Sequence, residues 1–175
     1  AALEVAGVLN FNNVWFLDTV GYNELNTVNN DFNYVYFFGD GEMFGSNRFD
    51  TLRFSPAHTY LLEAGETQYV DEMLHARGNN CFLIVIQSND IPNPAYIEKT
   101  TGVVDSDFLE LKSVHAIGGA DFYAGVFSTD GGNNVGWDFT NSGNYQYGLG
   151  PDTTAFLCSD LDTFRILTLN FNGGV

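Results

Sequence analysis

The chain has 175 residues, 45% hydrophobic, 15% aromatic and 16% charged, and its 22 acidic against 6 basic residues give a formal net charge of -16. That length suits one domain, taken here as residues 1–175, and its apolar content excludes a disordered chain, because enough surface can be buried to offset chain entropy. Direct binding to nucleic acid or to an anionic membrane surface is excluded as well: neutralising phosphates takes clustered Lys and Arg, whereas Arg48, Arg53, Arg77, Lys99, Lys112 and Arg165 are scattered.

No apolar run reaches the roughly 18 residues that a membrane-spanning helix needs. The chain opens at Ala1 with no charged segment leading into an apolar one, which leaves a removed leader or a trimmed chain as the expectations. Gly (19 residues) and Asn, about as frequent, replace the Lys and Glu of an ordinary cytosolic surface, and none of the Asn residues opens an N-x-[ST] sequon. The acidity has two readings, a surface that attracts divalent cations, with calcium as the candidate cofactor, or adaptation to a saline habitat. The expected location is extracellular, on a cell surface or on a virion surface.

In chain order, residues 3–11 alternate, with Leu3, Val5, Gly7, Leu9 and Phe11 on one side, as a half-buried strand requires. Strands follow at 13–19 and 32–39, and Gly39, Asp40 and Gly41 supply the positive φ of a tight hairpin. These three residues tolerate positive φ rather than fix it, and residues 48–55 alternate again and stop at Pro56. Residues 66–77 read as the one helix, since Tyr69, Val70, Met73 and Leu74 recur at helical spacing and Gly78 stands where a C-terminal cap belongs. Residues 81–87 are continuously apolar, Pro92 and Pro94 force a loop, and six further strand-like runs lie between Gly- and Asn-rich turns. No internal repeat is apparent. Roughly ten short strands at this spacing predict an all-β fold, a two-sheet β-sandwich or jelly roll with one helix in a connection.

The chemistry-bearing residues form four groups. Residues two apart on a strand share a face, so Asp105 and Asp107, with Glu110 nearby, and Asp160 and Asp162 are candidate cation ligands. Trp137, Asp138, Asn141, Asn144, Tyr145 and Tyr147 combine aromatic faces with hydrogen-bonding groups and are the candidate glycan site, although Trp137 and the two Tyr residues also suit core-facing positions. Cys81 and Cys158 are a candidate disulfide, or two free cysteines buried as small hydrophobes. The end segments, with Leu3, Val5, Leu9 and Phe11 at one terminus and Phe164, Ile166 and Leu169 at the other, carry almost no edge protection and are candidate assembly strands.

Catalysis leaves no comparable trace. His58, His75 and His115 are dispersed, Glu72-x-x-His75 stands without a second such pair, and no G-x-S-x-G elbow occurs. The expectation is therefore a non-enzymatic assembly subunit of an extracellular filament, pilus-like in its strand contacts, or of a viral shell, self-associating into a homo-oligomer or polymer. A carbohydrate- or calcium-dependent adhesion module is the second expectation, and a sandwich-fold glycoside hydrolase the third.

Overall fold

The computed structural model describes residues 1–4, 7 and 9–140, and within them every pair of neighbouring strands runs parallel. One sheet holds, in hydrogen-bonded order, β1 (Ala2–Glu4), β3 (Asn23–Asn26), β5 (Gly41–Phe44), β7 (Thr59–Leu62), β9 (Ile84–Ser88), β12 (Leu109–Lys112) and β15 (Thr129–Asp130). A second holds β2 (Asn10–Phe16), β4 (Asp31–Phe37), β6 (Asn47–Phe54), β8 (Thr67–His75), β10 (Ala95–Lys99) and β13 (Val114–Gly118). A short third sheet is formed by β11 (Val103–Asp105), β14 (Asp121–Tyr123) and β16 (Trp137–Asp138). The chain passes back and forth between the first two sheets and lays each coil on the one before. This is a parallel β-solenoid.

The expected sandwich or jelly roll is therefore wrong, while the all-β class stands. Alternation tells which side chains point inward but not which strand is the neighbour. The hairpin expected at Gly39, Asp40 and Gly41 is instead a corner from β4 in the second sheet to β5 in the first, with none of the three at positive φ, while Asn29 (φ 57°) and Gly45 (φ 68°) take the left-handed region at other corners. A repeat is present after all. The segments FNNVWF at 11–16, FNYVYF at 32–37 and FDTLRF at 49–54 share the form F-x-x-[VL]-x-F and stack in register, Phe11 on Phe32 on Phe49. Corners of unequal length separate them, so no fixed period connects Phe11 to Phe32 and Phe32 to Phe49.

That motif also explains the failed helix. In each hexapeptide two consecutive residues face outward, which sets the inward Phe and Val or Leu three apart. In β8 an extra residue relative to β6 widens the interval, so Val70 and Leu74 point inward while Asp71, Glu72 and Met73 all face out. Inward residues three and four apart imitate helical spacing, and the segment expected as a helix at 66–77 is strand β8. The strand expected at 3–11 is likewise two strands of different sheets, β1 and β2.

The core lies between the sheets. Phe11, Phe32 and Phe49 stack with ring centroids 4.9 and 5.4 Å apart, and Phe16 stacks on Phe37 at 4.5 Å. Leu25, Met43 and Leu62 answer from the first sheet as register partners, all buried. Tyr60 is fully buried, and its hydroxyl donates to the Ser55 carbonyl and accepts from the Ser55 amide, at 3.0 and 2.8 Å. Burial raises its phenol well above the ordinary range.

At one corner Asn30, Asn47 and Gln68 occupy matching positions in successive coils, all buried. The Asn47 amide nitrogen donates to the carbonyls of Thr27 and Phe44, both at 3.0 Å, and its oxygen accepts from the Thr27 hydroxyl at 2.7 Å. The Gln68 side chain donates to the Gly45 carbonyl at 2.7 Å. Phe49→Ala removes a fully buried ring from the middle of the phenylalanine stack. It should lower the free energy of unfolding by about 3–5 kcal/mol, read from urea denaturation followed by circular dichroism.

Candidate functional face

The hexapeptides that build the core also build a surface. With Phe and Val or Leu turned inward, their remaining positions face solvent on the outside of the second sheet, and parallel pairing brings equivalent positions side by side. Trp15 on β2, Tyr36 on β4, Arg53 on β6 and His75 on β8 are successive register partners. Indole, phenol, guanidinium and imidazole are all planar groups. Adjacent strands lie about 4.8 Å apart, so this row runs roughly 14 Å along the solenoid axis.

The row is ordered by its own contacts. The Arg53 guanidinium lies over the Tyr36 ring, 4.4 Å from its centroid. Tyr36 accepts from the Ser55 hydroxyl at 3.2 Å, and its ring packs on Phe38, with centroids 3.9 Å apart. Trp15 is half-exposed and tilts against Tyr34 at 6.3 Å. Among the described residues Arg53 has no carboxylate within ion-pair distance, although acids outnumber bases more than threefold in this chain.

A parallel row, Asn13, Tyr34, Thr51 and Met73, runs alongside, and beyond it lie the exposed polar groups Asn12, Asn33, Asp50, Asp71 and Glu72. Asn33 donates to Asn12 and Asn13, each at 3.2 Å. At the margin Arg48 pairs with Asp71 at 2.6 Å and covers Tyr69 at 5.0 Å, beside a shallow polar cleft lined by Asn29, Asp31, Arg48 and Tyr69. Beyond β8 the row stops. There β10 meets β8 only at Thr67, Gln68 and Tyr69, and the buried Lys99 ammonium donates to the Asp71 and Glu72 carbonyls at 2.5 and 2.9 Å.

The residues nominated from sequence fall elsewhere. Asp105 ends β11 and pairs with Arg77 at 3.1 Å. Asp107 sits fully buried in the following corner, where one carboxylate oxygen accepts from the amides of Phe108 and Phe127, at 2.9 and 3.0 Å. Glu110 stands half-buried on β12. No group of three His, Cys, Asp or Glu side chains able to hold a metal occurs among the described residues. Trp137 packs edge-to-face on Phe122 at 5.1 Å, in its core-facing reading, and Asp138 accepts from the amide and hydroxyl of Thr140.

Leu3 and Phe11 are half-buried on β1 and β2, and Leu9 is exposed. Cys81 is disulfide-bonded. Val5, Asn141, Asn144, Tyr145, Tyr147, Cys158, Asp160, Asp162, Phe164, Ile166 and Leu169 lie outside the described residues. Among the described residues no helix is long and apolar enough to cross a membrane.

The face itself, with Trp15, Tyr34, Tyr36, Arg53 and His75, was missed from sequence. Aligning the three hexapeptides would have found its first three coils. The fold thus defines the class, a parallel β-solenoid with an aromatic outer face. Comparison with family models, with curated proteins and with solved structures finds no match to the chain.

Partial burial of the ring, together with the neighbouring Arg53 charge, holds His75 below the usual imidazole range. The unfolded chain therefore takes up this proton more readily than the folded one, so the His75 contribution opposes folding once pH falls through the imidazole range and vanishes above it. In His75→Gln the fall in denaturation midpoint between neutral and mildly acidic pH should be smaller than in the wild type, as read from urea titrations at both conditions.

Proposed function

We propose that this protein is an extracellular adhesion module whose solenoid presents the aromatic face of the second sheet to carbohydrate. The observation that carries this reading is the row Trp15, Tyr36, Arg53 and His75, flanked by Asn and Asp side chains. The C–H face of a sugar ring packs on planar groups, and its hydroxyls both donate to carboxylates and exchange hydrogen bonds with amides. Trp and Tyr lose little side-chain entropy on contact, and a sheet holds them more exactly than a loop does. The disulfide at Cys81 suits an oxidising, extracellular compartment. The reading needs no calcium.

On a glycan array the wild-type chain should bind a restricted set of glycans with and without chelator. Trp15→Ala and Tyr36→Ala should each weaken that binding about tenfold or more, the loss expected for a central aromatic contact. An array that stays blank for the wild type defeats the proposal.

A second reading, self-association into a homo-oligomer or polymer as in a filament, is favoured by one feature. Among the described residues β2 is hydrogen-bonded to a strand on one side only, and Leu9, Leu17, Val20 and Tyr22 are exposed in the same coil. An uncovered parallel edge of this kind accepts another strand. Sedimentation velocity should then show concentration-dependent association that Leu9→Lys combined with Leu17→Lys abolishes; a wild type that stays monomeric throughout removes this second reading.

A further inference from the structure

We infer that the aromatic face is a track for a linear, uncharged polysaccharide lying along the solenoid axis and crossing β2, β4, β6 and β8. This rests on the carbohydrate reading above and specifies its ligand. Direction comes from register: the four planar side chains occupy one position in four consecutive strands, so the line joining them crosses the strands. A ligand that follows the row meets a planar group at each strand. A compact ligand meets one or two.

Length comes from the way the row ends. It begins at β2, and among the described residues no strand pairs with β8 beyond Tyr69, where the Lys99 ammonium takes the Asp71 and Glu72 carbonyls instead. Four planar groups at strand spacing set a footprint of roughly 14 Å, more than one sugar ring.

Charge decides between neutral and anionic chains. The exposed groups beside the row include Asp50, Asp71 and Glu72, and Asp71 and Arg48 neutralise each other at 2.6 Å. Among the described residues Arg53 has no carboxylate partner, and its guanidinium covers one face of the Tyr36 ring, so the two meet a ligand as one stacked pair spanning β4 and β6. In this arrangement Arg53 serves as a stacking platform. One guanidinium beside the carboxylates of Asp50 and Glu72, unpaired among the described residues, on a chain of net charge -16, repels a polyanion overall, whereas carboxylates and amides accept hydrogen bonds from sugar hydroxyls.

The test is calorimetric titration of the whole chain with neutral oligosaccharides cut from β-glucan, mannan and xylan, from disaccharide to hexasaccharide, beside polygalacturonate and heparin. For the neutral series that binds, affinity should rise about tenfold or more from disaccharide to tetrasaccharide and then level off as the track fills. Trp15→Ala and Arg53→Gln should flatten that rise, while circular dichroism stays unchanged because both side chains are exposed. Equal affinity for disaccharide and hexasaccharide, or preference for polygalacturonate or heparin, overturns the neutral axial track and leaves carbohydrate binding standing. Failure to bind any of these glycans, neutral or acidic, overturns both.

Discussion

Where the chain passes from the first sheet to the second, its carbonyls turn away from the ladder into a buried corner, and an unpaired carbonyl there costs on the order of 1–3 kcal/mol. Amide side chains answer this demand. Asn47 closes the corner between β5 and β6 by holding the Phe44 carbonyl of its own coil and the Thr27 carbonyl of the coil before, so that one side chain satisfies both a turn and a coil-to-coil contact. Asn30 does similar work one coil earlier, donating to the Val28 carbonyl and accepting from the Leu9 amide. Only because these corners close can the strands lie in register, and register is what sets phenylalanine over phenylalanine in the core and Trp15 beside Tyr36 outside.

Core and face are therefore two sides of one hexapeptide. In FNYVYF the residues Phe32, Val35 and Phe37 are buried, while Asn33, Tyr34 and Tyr36 remain outside. A change to the inner set disturbs the outer set through the backbone they share, whereas a change such as Trp15→Ala removes a contact surface and leaves the core intact. The stiffness of the face follows from the same arrangement: its side chains stand on strands hydrogen-bonded to neighbours, and the rings beneath them are stacked.

Much of this was legible in the residues. The strand expected at 32–39 corresponds to β4, that at 48–55 to β6, and the apolar run at 81–87 overlaps β9. What alternation cannot carry is the identity of the neighbouring strand, so the corner containing Asp40 passed for a hairpin turn. The error at 66–77 has a definite cause in the outward residues of β8, which space Val70 and Leu74 as a helix would. The face escaped notice because it consists of outward positions drawn from separate segments, and no one segment looks like a site. Trp137, conspicuous in a Gly-rich stretch, packs on Phe122.

The extra residue of β8 behaves as a lattice defect does. In a crystal, an added half-row ends in a dislocation, and the lattice on either side stays perfect while the mismatch is confined to one line. Here β6 and β8 pair in register from Asn47 with Gln68 to Phe49 with Val70, and again from Thr51 with Met73 to Arg53 with His75, with the mismatch confined between. Such a defect gives the stack a place where chain length can change by a residue without rotating the inward positions of any other coil. It is the point at which the solenoid tolerates an irregular sequence and still keeps Arg53 and His75 in line.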